Sequence, residues 1–452
     1  MNKINVLHIT PHLGGGVGTV ILNWLQKEYE NTDNEFFHEI ATLEVSKNPL
    51  VKEFKEKGLY ISEGFYEYWD NLKELIKSHD IVIVHWWNHP KLFDILVNME
   101  FPPCRLIIWS HSSGLYPPYV IPIKLIEFSD LFIFVSPVSY EADEIKSLKE
   151  DLREKIDVVW STFGSESFEG FQKKSHESFN IGYIGTCSYT KLHPEFIRMC
   201  SKINIPNSRF IVCANDHTEN ILSEATELGI VERFCFQEKV VKIKDYLAIF
   251  DVFGYPLQPK HFGTSEQALG EAMMAGVVPV VLNNAAERYI VEDGKTGIIA
   301  NSTEEYCKAI EFLYNNPAKR EEMARNAIAS AREKYSIEKK MKEWRRIFSK
   351  IFKIEKRHRN WDNKKRKTGA EVFIESIGDY GKVFMEYIQA KQKGDEKKLS
   401  SSKEGIIKLF KTNLQWYSDN KGGVKQYLKV FPSDIYLNQW NALLDKNGII
   451  RR

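Results

Sequence analysis

The chain has 452 residues, 43% of them hydrophobic and 27% charged, which is enough for two or three domains with proper cores. A formal net charge of +1 excludes a global electrostatic attraction to nucleic acid or to an anionic membrane. Six cysteines (Cys104, Cys187, Cys200, Cys213, Cys235 and Cys307) form no C-x-x-C pair, so free buried thiols in a reducing compartment are expected. Glycines and His12 interrupt the first apolar run and no apolar stretch reaches spanning length, so neither a signal peptide nor a membrane span is expected. The expected location is the cytoplasm, with the inner face of the cell membrane left open.

The chain opens with an apolar strand, INVLHIT, followed by PHLGGGVGT and an amphipathic helix. Glycines between a first strand and a first helix let backbone amides approach a phosphate closely. The positions of Gly14, Gly15, Gly16 and Gly18 do not fit the dinucleotide fingerprint G-x-G-x-x-G. Strand-like runs recur at 81–87, 105–110, 131–136 and 156–161, separated by helical or loop segments. That alternation predicts a mostly parallel sheet. In VHWWNHP, Trp86 and Trp87 are neighbours in an extended run, so at least one belongs to the core. His85, His89, His111 and His193 lack metal spacing on any one helix, and no metal site is expected.

A polar stretch at 169–178 reads as a linker, and the alternation then repeats. The strand IGYIG ends in polar residues with Lys191 before the next helix, a compact charge suited to a diphosphate. Runs at 209–214, 233–237, 250–256 and 277–282 follow. Within them lies HFGTSEQALGEAMMAGVVPVVLNN, a loop, then a helix expected to begin near Ser265, then a buried strand. Thr264 and Ser265 at a helix start would gather hydroxyls and free N–H groups around a phosphate. Glu271, about a turn and a half later, is placed to accept hydrogen bonds from a ribose. Base and sugar selectivity is expected around Phe236, Gln237 and the 261–266 loop, and acceptor contacts near Trp87 and Tyr116 to Tyr119. Helices rich in Glu, Ala, Arg and Lys run from about 303 to 352. The basic run KIEKRHRNWDNKKRK (353–367) reads first as a solvated linker and second as an anionic-lipid patch. The helical, aromatic region 355–452 is a candidate for oligomerisation or partner binding.

Over about residues 1–350 the chain resembles the retaining, nucleotide-sugar-dependent glycosyltransferases of family 4. The segments EQALGEAMMAGVVPVV and ERYIVEDGKTGIIA carry the resemblance. It implies the GT-B fold: α/β, with two Rossmann-like doubly wound domains facing across a cleft, at 1–168 and 178–352, plus the mostly helical extension 355–452. The helix from Ile337 would cross back to the first domain. The resemblance also implies that Glu271 holds the ribose, that Gly15 and Gly16 lie against the distal phosphate or donor sugar, that Lys191 pairs with the diphosphate, and that His111 lies near the transferred sugar. Two positions depart from the family pattern. Gly263 stands eight positions before Glu271, where the family carries glutamate, and Thr186 stands for the diphosphate arginine. HFG at 261–263 resembles the family's Pro-Phe-Gly displaced by three residues, which makes Thr264, Ser265 and Glu266 a variant phosphate and sugar loop.

The expected activity is transfer of a sugar from a nucleotide-diphosphate sugar, UDP-sugar foremost, to a glycan, glycolipid or protein acceptor, as in polysaccharide biosynthesis. His111, Lys191 and Glu266 are the candidate catalytic groups. The chain has no D-x-D sequence, so lysine, hydroxyls and a helix N-terminus take the place of a metal, and no cofactor is expected. Two other readings stay open: a nucleotide-sugar 2-epimerase, and a catalytically silent subunit of a glycan synthase.

Overall fold

The computed structural model describes residues 3–31, 34–46, 49–214, 218–238, 242–362 and 365–447. They divide into two compact units, residues 1–161 with 338–451, and residues 162–337.

The first unit is built on a seven-stranded parallel sheet. Its strands are β1 (Ile4–Thr10), β2 (Phe36–Thr42), β3 (Tyr60–Ser62) and β4 (Ile81–Trp86), followed, past a short β5 (Phe101–Cys104) outside the sheet, by β6 (Leu106–Ser110), β7 (Leu131–Phe134) and β8 (Ile156–Val158). They lie in the order β3-β2-β1-β4-β6-β7-β8. The central strands are near-continuous apolar runs because both faces of a parallel sheet are covered. Alternate residues feed two cores. Leu7, Val82, Val84 and Ile108 face one side, and Val6, Ile83, Ile107 and Trp109 the other. The helix Gly15–Glu30 and the helix Ile337–Ile351 cover the second side, with Trp24 and Trp344 stacked at 4.9 Å.

The second unit carries a six-stranded parallel sheet of β9 (Phe179–Ile184), β10 (Ser208–Cys213), β11 (Phe234–Gln237), β12 (Val252–Tyr255), β13 (Val278–Leu282) and β14 (Ile298–Ala300). Its order is β11-β10-β9-β12-β13-β14. The stretch read as a linker, 169–178, falls within this unit, where the Lys173 ammonium donates to the carbonyls of Leu247 and Phe250.

The C-terminal residues complete the first unit. Phe373, Phe384, Trp416 and Trp440 join the core on the side of the sheet lined by Leu7 and Val84. The basic run that leads to them is not the solvated linker its composition suggests. It forms β15 (Arg357–Arg359), antiparallel to β5. Arg359 is buried and pairs with buried Asp130, Arg357 Nε reaches the other carboxylate oxygen at 2.9 Å, and Lys367 pairs with Asp362 at 2.7 Å. A guanidinium carries a fork of donors that one buried carboxylate and nearby carbonyls can satisfy, so the charge is drawn inward. Asn363 and Lys364 of this run, and residues 448–452, lie outside the described residues. Among the described residues no helix is long and apolar enough to cross a membrane.

Candidate active site

In the second unit the strand order reverses between β9 and β12. Ligands of open α/β sheets bind beyond the carboxyl ends of the strands at such a reversal. Two loops leave there, 185–195 after β9 and 256–266 after β12, and main-chain bonds stitch them together. The Gln258 N–H donates to the Lys191 carbonyl at 2.9 Å, the His193 N–H to the Pro256 carbonyl at 2.9 Å, and the Gln258 side-chain amide to the Thr190 carbonyl at 3.1 Å.

This stitching brings Lys191 to Glu266, with Nζ 3.1 Å from Oε2. The Tyr255 hydroxyl donates to the same oxygen at 2.6 Å. Oε1 lies 3.9 Å from Nδ1 of His261, which accepts from the Gly263 N–H at 2.9 Å. The other ring nitrogen of His261 meets the fully buried Glu287 carboxylate at 3.1 Å. Burial pushes the Glu266 carboxyl up, but Lys191, His261 and the Tyr255 hydroxyl outweigh it and hold the group below the usual range. Burial likewise opposes a charge on His261, and Glu287 overcomes it, so the imidazole is raised. An anionic carboxylate is thus held against Lys191.

The helix starts later than its sequence suggests. It spans Gln267–Met274, and Glu266 precedes it in a left-handed conformation, φ 32° and ψ 75°. Neither Thr264 nor Ser265 lies in the first turn, and Glu266, which holds the cap position, makes no side-chain capping bond. Both are buried instead, and the Ser265 carbonyl accepts from the Tyr335 hydroxyl at 2.8 Å. A left-handed glutamate is costly, on the order of 1 kcal/mol or more. The bonds to Lys191 and Tyr255 offset that cost.

Gly263 has a physical reason for lacking a side chain. A Cβ there would lie 1.5 Å from Oε1 of Glu266 and 2.7 Å from its Cδ. Glu266 therefore fills the space that a side chain at 263 would take. A carboxylate from three residues further on thus lies where a side chain at 263 would be. Gly263→Ala is expected to displace the Glu266 carboxylate from Lys191 and to destabilise the fold by about 1–3 kcal/mol through overpacking. Denaturant unfolding of the variant checks this, and an unchanged midpoint would contradict it.

The remaining expected residues of this unit are placed as follows. Glu271 is half-buried on the helix, and burial, partly opposed by Lys244, pushes its carboxyl up to about 7. Phe236 lies on β11, half-buried and stacked on Phe234 at 5.6 Å. Thr186 follows β9, and its carbonyl accepts from the Tyr183 hydroxyl at 2.8 Å. The sequence gives no role to Tyr255 or Glu287, and His261 enters only as part of the 261–266 loop. A polar residue at a buried strand end is the one signal that Tyr255 offers.

In the first unit the order reverses between β1 and β4. Gly15 and Gly16 open the helix that follows β1 and are exposed. Gly18 is the position where the backbone is tight, since a Cβ there would lie 2.2 Å from the Leu13 carbonyl oxygen. His12 gathers Trp87 and His89, with ring centroids 5.6 and 5.8 Å away. Trp86 is fully buried and Trp87 half-buried. Tyr119, expected near an acceptor, is buried at 4% exposure, because the turn that carries it folds inward and its carbonyl accepts from the Ser112 hydroxyl at 2.9 Å. His111 is half-buried after β6, its N–H donating to the Trp86 carbonyl at 2.7 Å. Burial lowers its imidazole to about 3, so it is neutral near pH 7.

Comparison with known proteins bears on both units. The family model described as glycosyl transferases group 1 matches residues 165–330. The alpha-1,3/1,6-mannosyltransferase ALG2 of Dictyostelium discoideum is 24% identical over 257 residues, which are 56% of this chain and 53% of that protein. The match thus spans about half the length of that relative. A glycosyltransferase from Rickettsia africae superposes with a TM-score of 0.64 at 13% identity, over 78% of this chain and all of the other. Anabaena Alr3699/HepE, solved with UDP and glucose, gives 0.61 at 14% identity, over 77% of this chain and all of the other. At such identities the structures establish the fold alone. Residues 165–330 thus match the glycosyl transferases group 1 model, and the chain has the fold of two parallel sheets seen in the GT-B glycosyltransferases.

Proposed function

We propose that the chain transfers a sugar from a nucleoside-diphosphate sugar to a glycan, lipid-linked or protein acceptor, with retention of configuration and without a metal ion. The observation that carries this reading is the Lys191–Glu266 pair, 3.1 Å apart at the strand-order reversal of the matched domain. Within the fold Glu266 compensates the lysine. A donor diphosphate would take up the same ammonium. As the glycosidic bond breaks, negative charge grows on the leaving phosphate, and a cation fixed there lowers the barrier more than it tightens ground-state binding. A UDP-sugar is the first choice of donor, supported by the UDP in the HepE structure. The mannosyltransferase relative makes mannose a sugar to test alongside glucose. The resemblance assigns His111 to the transferred sugar and Gly15 and Gly16 to the distal phosphate or the sugar. A cytoplasmic enzyme of polysaccharide or glycoconjugate assembly, acting at the inner membrane face, fits this donor chemistry. Anomeric analysis of the product by NMR in the presence of a chelator tests the mechanism. A retained product with undiminished turnover is expected, and an inverted product or lost turnover would overturn it.

Glu271 supplies a pH dependence. Its folded-state value of about 7 lies above its ordinary value of 4.5. Raised carboxyls lose stability as pH climbs from the unfolded value to the folded one, so burying Glu271 stabilises the fold least above about pH 7. A ribose diol donates best to the ionised form. Nucleotide affinity is therefore expected to fall as pH drops from 8 to 6, with proton release on binding in that window. Calorimetry in buffers of different ionisation enthalpy reads the release, and Glu271→Gln should abolish both effects.

A further inference from the structure

Four imidazoles run in a line through the first unit. His38 on β2, His8 on β1, His85 on β4 and His111 after β6 come from strands that are neighbours in the sheet. Side-chain alternation puts them on the face of Trp24 and Trp109. His38 Nδ1 lies 2.9 Å from His8 Nε2, His8 Nδ1 2.9 Å from His85 Nε2, and His85 Nδ1 3.2 Å from His111 Nε2. Each link joins the Nδ1 of one ring to the Nε2 of the next.

That head-to-tail order has a consequence. A neutral imidazole has one N–H donor and one acceptor nitrogen, so all three links form only when every ring carries its hydrogen on the same nitrogen. With all four on Nδ1, His111 presents an N–H at the free end and Nε2 of His38 is bare. With all four on Nε2, His111 presents a lone pair and His38 buries an N–H. Nε2 of His38 is buried and has no hydrogen-bond partner among the described residues. Orphaned buried N–H groups are rarer than orphaned acceptors, which favours the first state. The row is uncharged. Burial, with Lys3 nearby, lowers His38 to about 3, and burial with the neighbouring histidines lowers His8 and His85.

We propose that this row locks His111 as an uncharged hydrogen-bond donor at Nδ1, with His85, His8 and His38 as positioning residues. The group it meets is an oxygen acceptor, a sugar hydroxyl or a phosphate oxygen, and His111 does not serve as a general base. The identity of that partner rests on the proposed transferase reading, whereas the lock rests on contacts within the chain alone.

The full chain labelled with ¹⁵N-histidine tests the lock without any substrate. Long-range ¹H–¹⁵N correlation near neutral pH, assigned through single-histidine variants, is expected to show all four rings neutral with hydrogen on Nδ1. A hydrogen on Nε2 of any of the four, or a cationic ring among them, would overturn the proposal. His38→Glu offers an acceptor to Nε2–H of His8 and should reverse the row, leaving Nδ1 of His111 bare. That variant is expected to lose about tenfold in kcat/KM for the donor, because Nδ1 of His111 no longer gives its hydrogen bond. Should it fail to fold, His85→Leu cuts the row, and His111 should then show a mixture of tautomers. An unchanged His111 tautomer in either variant would count against the lock.

Discussion

Replacing Lys191 by alanine is expected to lower kcat by about 10²–10³-fold, the usual effect of removing one fixed donor from developing negative charge. The variant has a second consequence, because Lys191 is also the cation that compensates the buried Glu266 carboxylate. Without it the carboxylate keeps, among the described residues, the Tyr255 hydroxyl at 2.6 Å and the more distant His261. A buried carboxylate stripped of its cation shifts upward and costs stability. The two effects separate in the double variant Lys191→Ala with Glu266→Gln. It removes the stranded charge, so thermal stability should recover while kcat stays low. Steady-state kinetics and thermal unfolding of the wild type, both single variants and the double variant check this, with Glu266→Gln alone giving the part of the kcat loss that belongs to Glu266. Recovery of kcat in the double variant would show that Lys191 acts only on the fold.

The largest effect on stability is expected at Asp130. Its carboxylate accepts the Leu106 N–H at 2.8 Å, pairs with buried Arg359 and holds Arg357 at 2.9 Å. Arg359 in turn donates to the carbonyls of Phe128 and Cys104, both at 2.8 Å. One aspartate thus ties β6 to the strand through which the C-terminal helices join the core. Asp130→Ala leaves a guanidinium buried without its carboxylate, and about 3–5 kcal/mol of unfolding free energy should be lost. The solvent-facing pair Arg346–Asp157, 2.7 Å apart, provides the contrast. Breaking it should cost no more than about 1 kcal/mol, because water screens it. Urea unfolding of both variants reads the difference. Equal losses would mean that burial does not set the value of the Asp130 pair.

The two parallel sheets are legible in the sequence because both rest on local signals. Continuous apolar runs mark strands such as β4, β6, β7 and β13, and glycine-bearing loops follow β1 and β9. The start of the helix at Gln267 is not legible. Thr264 and Ser265 have the right chemistry to cap, but the contacts of Glu266 with Lys191 and Tyr255 come from loops that meet only in the folded sheet. Position 263 shows the same limit. Its glycine reads as a missing carboxylate until the fold shows Glu266 in that space. The basic run misleads because composition gives charge and not partners, and its partner Asp130 lies more than two hundred residues away in the chain. The imidazole row is written as one histidine per strand with the same side-chain parity, yet only the strand order reveals that they touch.

The central claim, that the matched domain binds a nucleoside-diphosphate sugar beside Lys191 and Glu271, is tested most directly by calorimetry. UDP, GDP and ADP would each be titrated, with and without sugars, into the full chain and into Glu271→Ala. Saturable binding of one nucleotide, UDP foremost, that is lost in the variant is the predicted result. Absence of binding by all three nucleotides would contradict the account and favour a catalytically silent glycosyltransferase-like subunit.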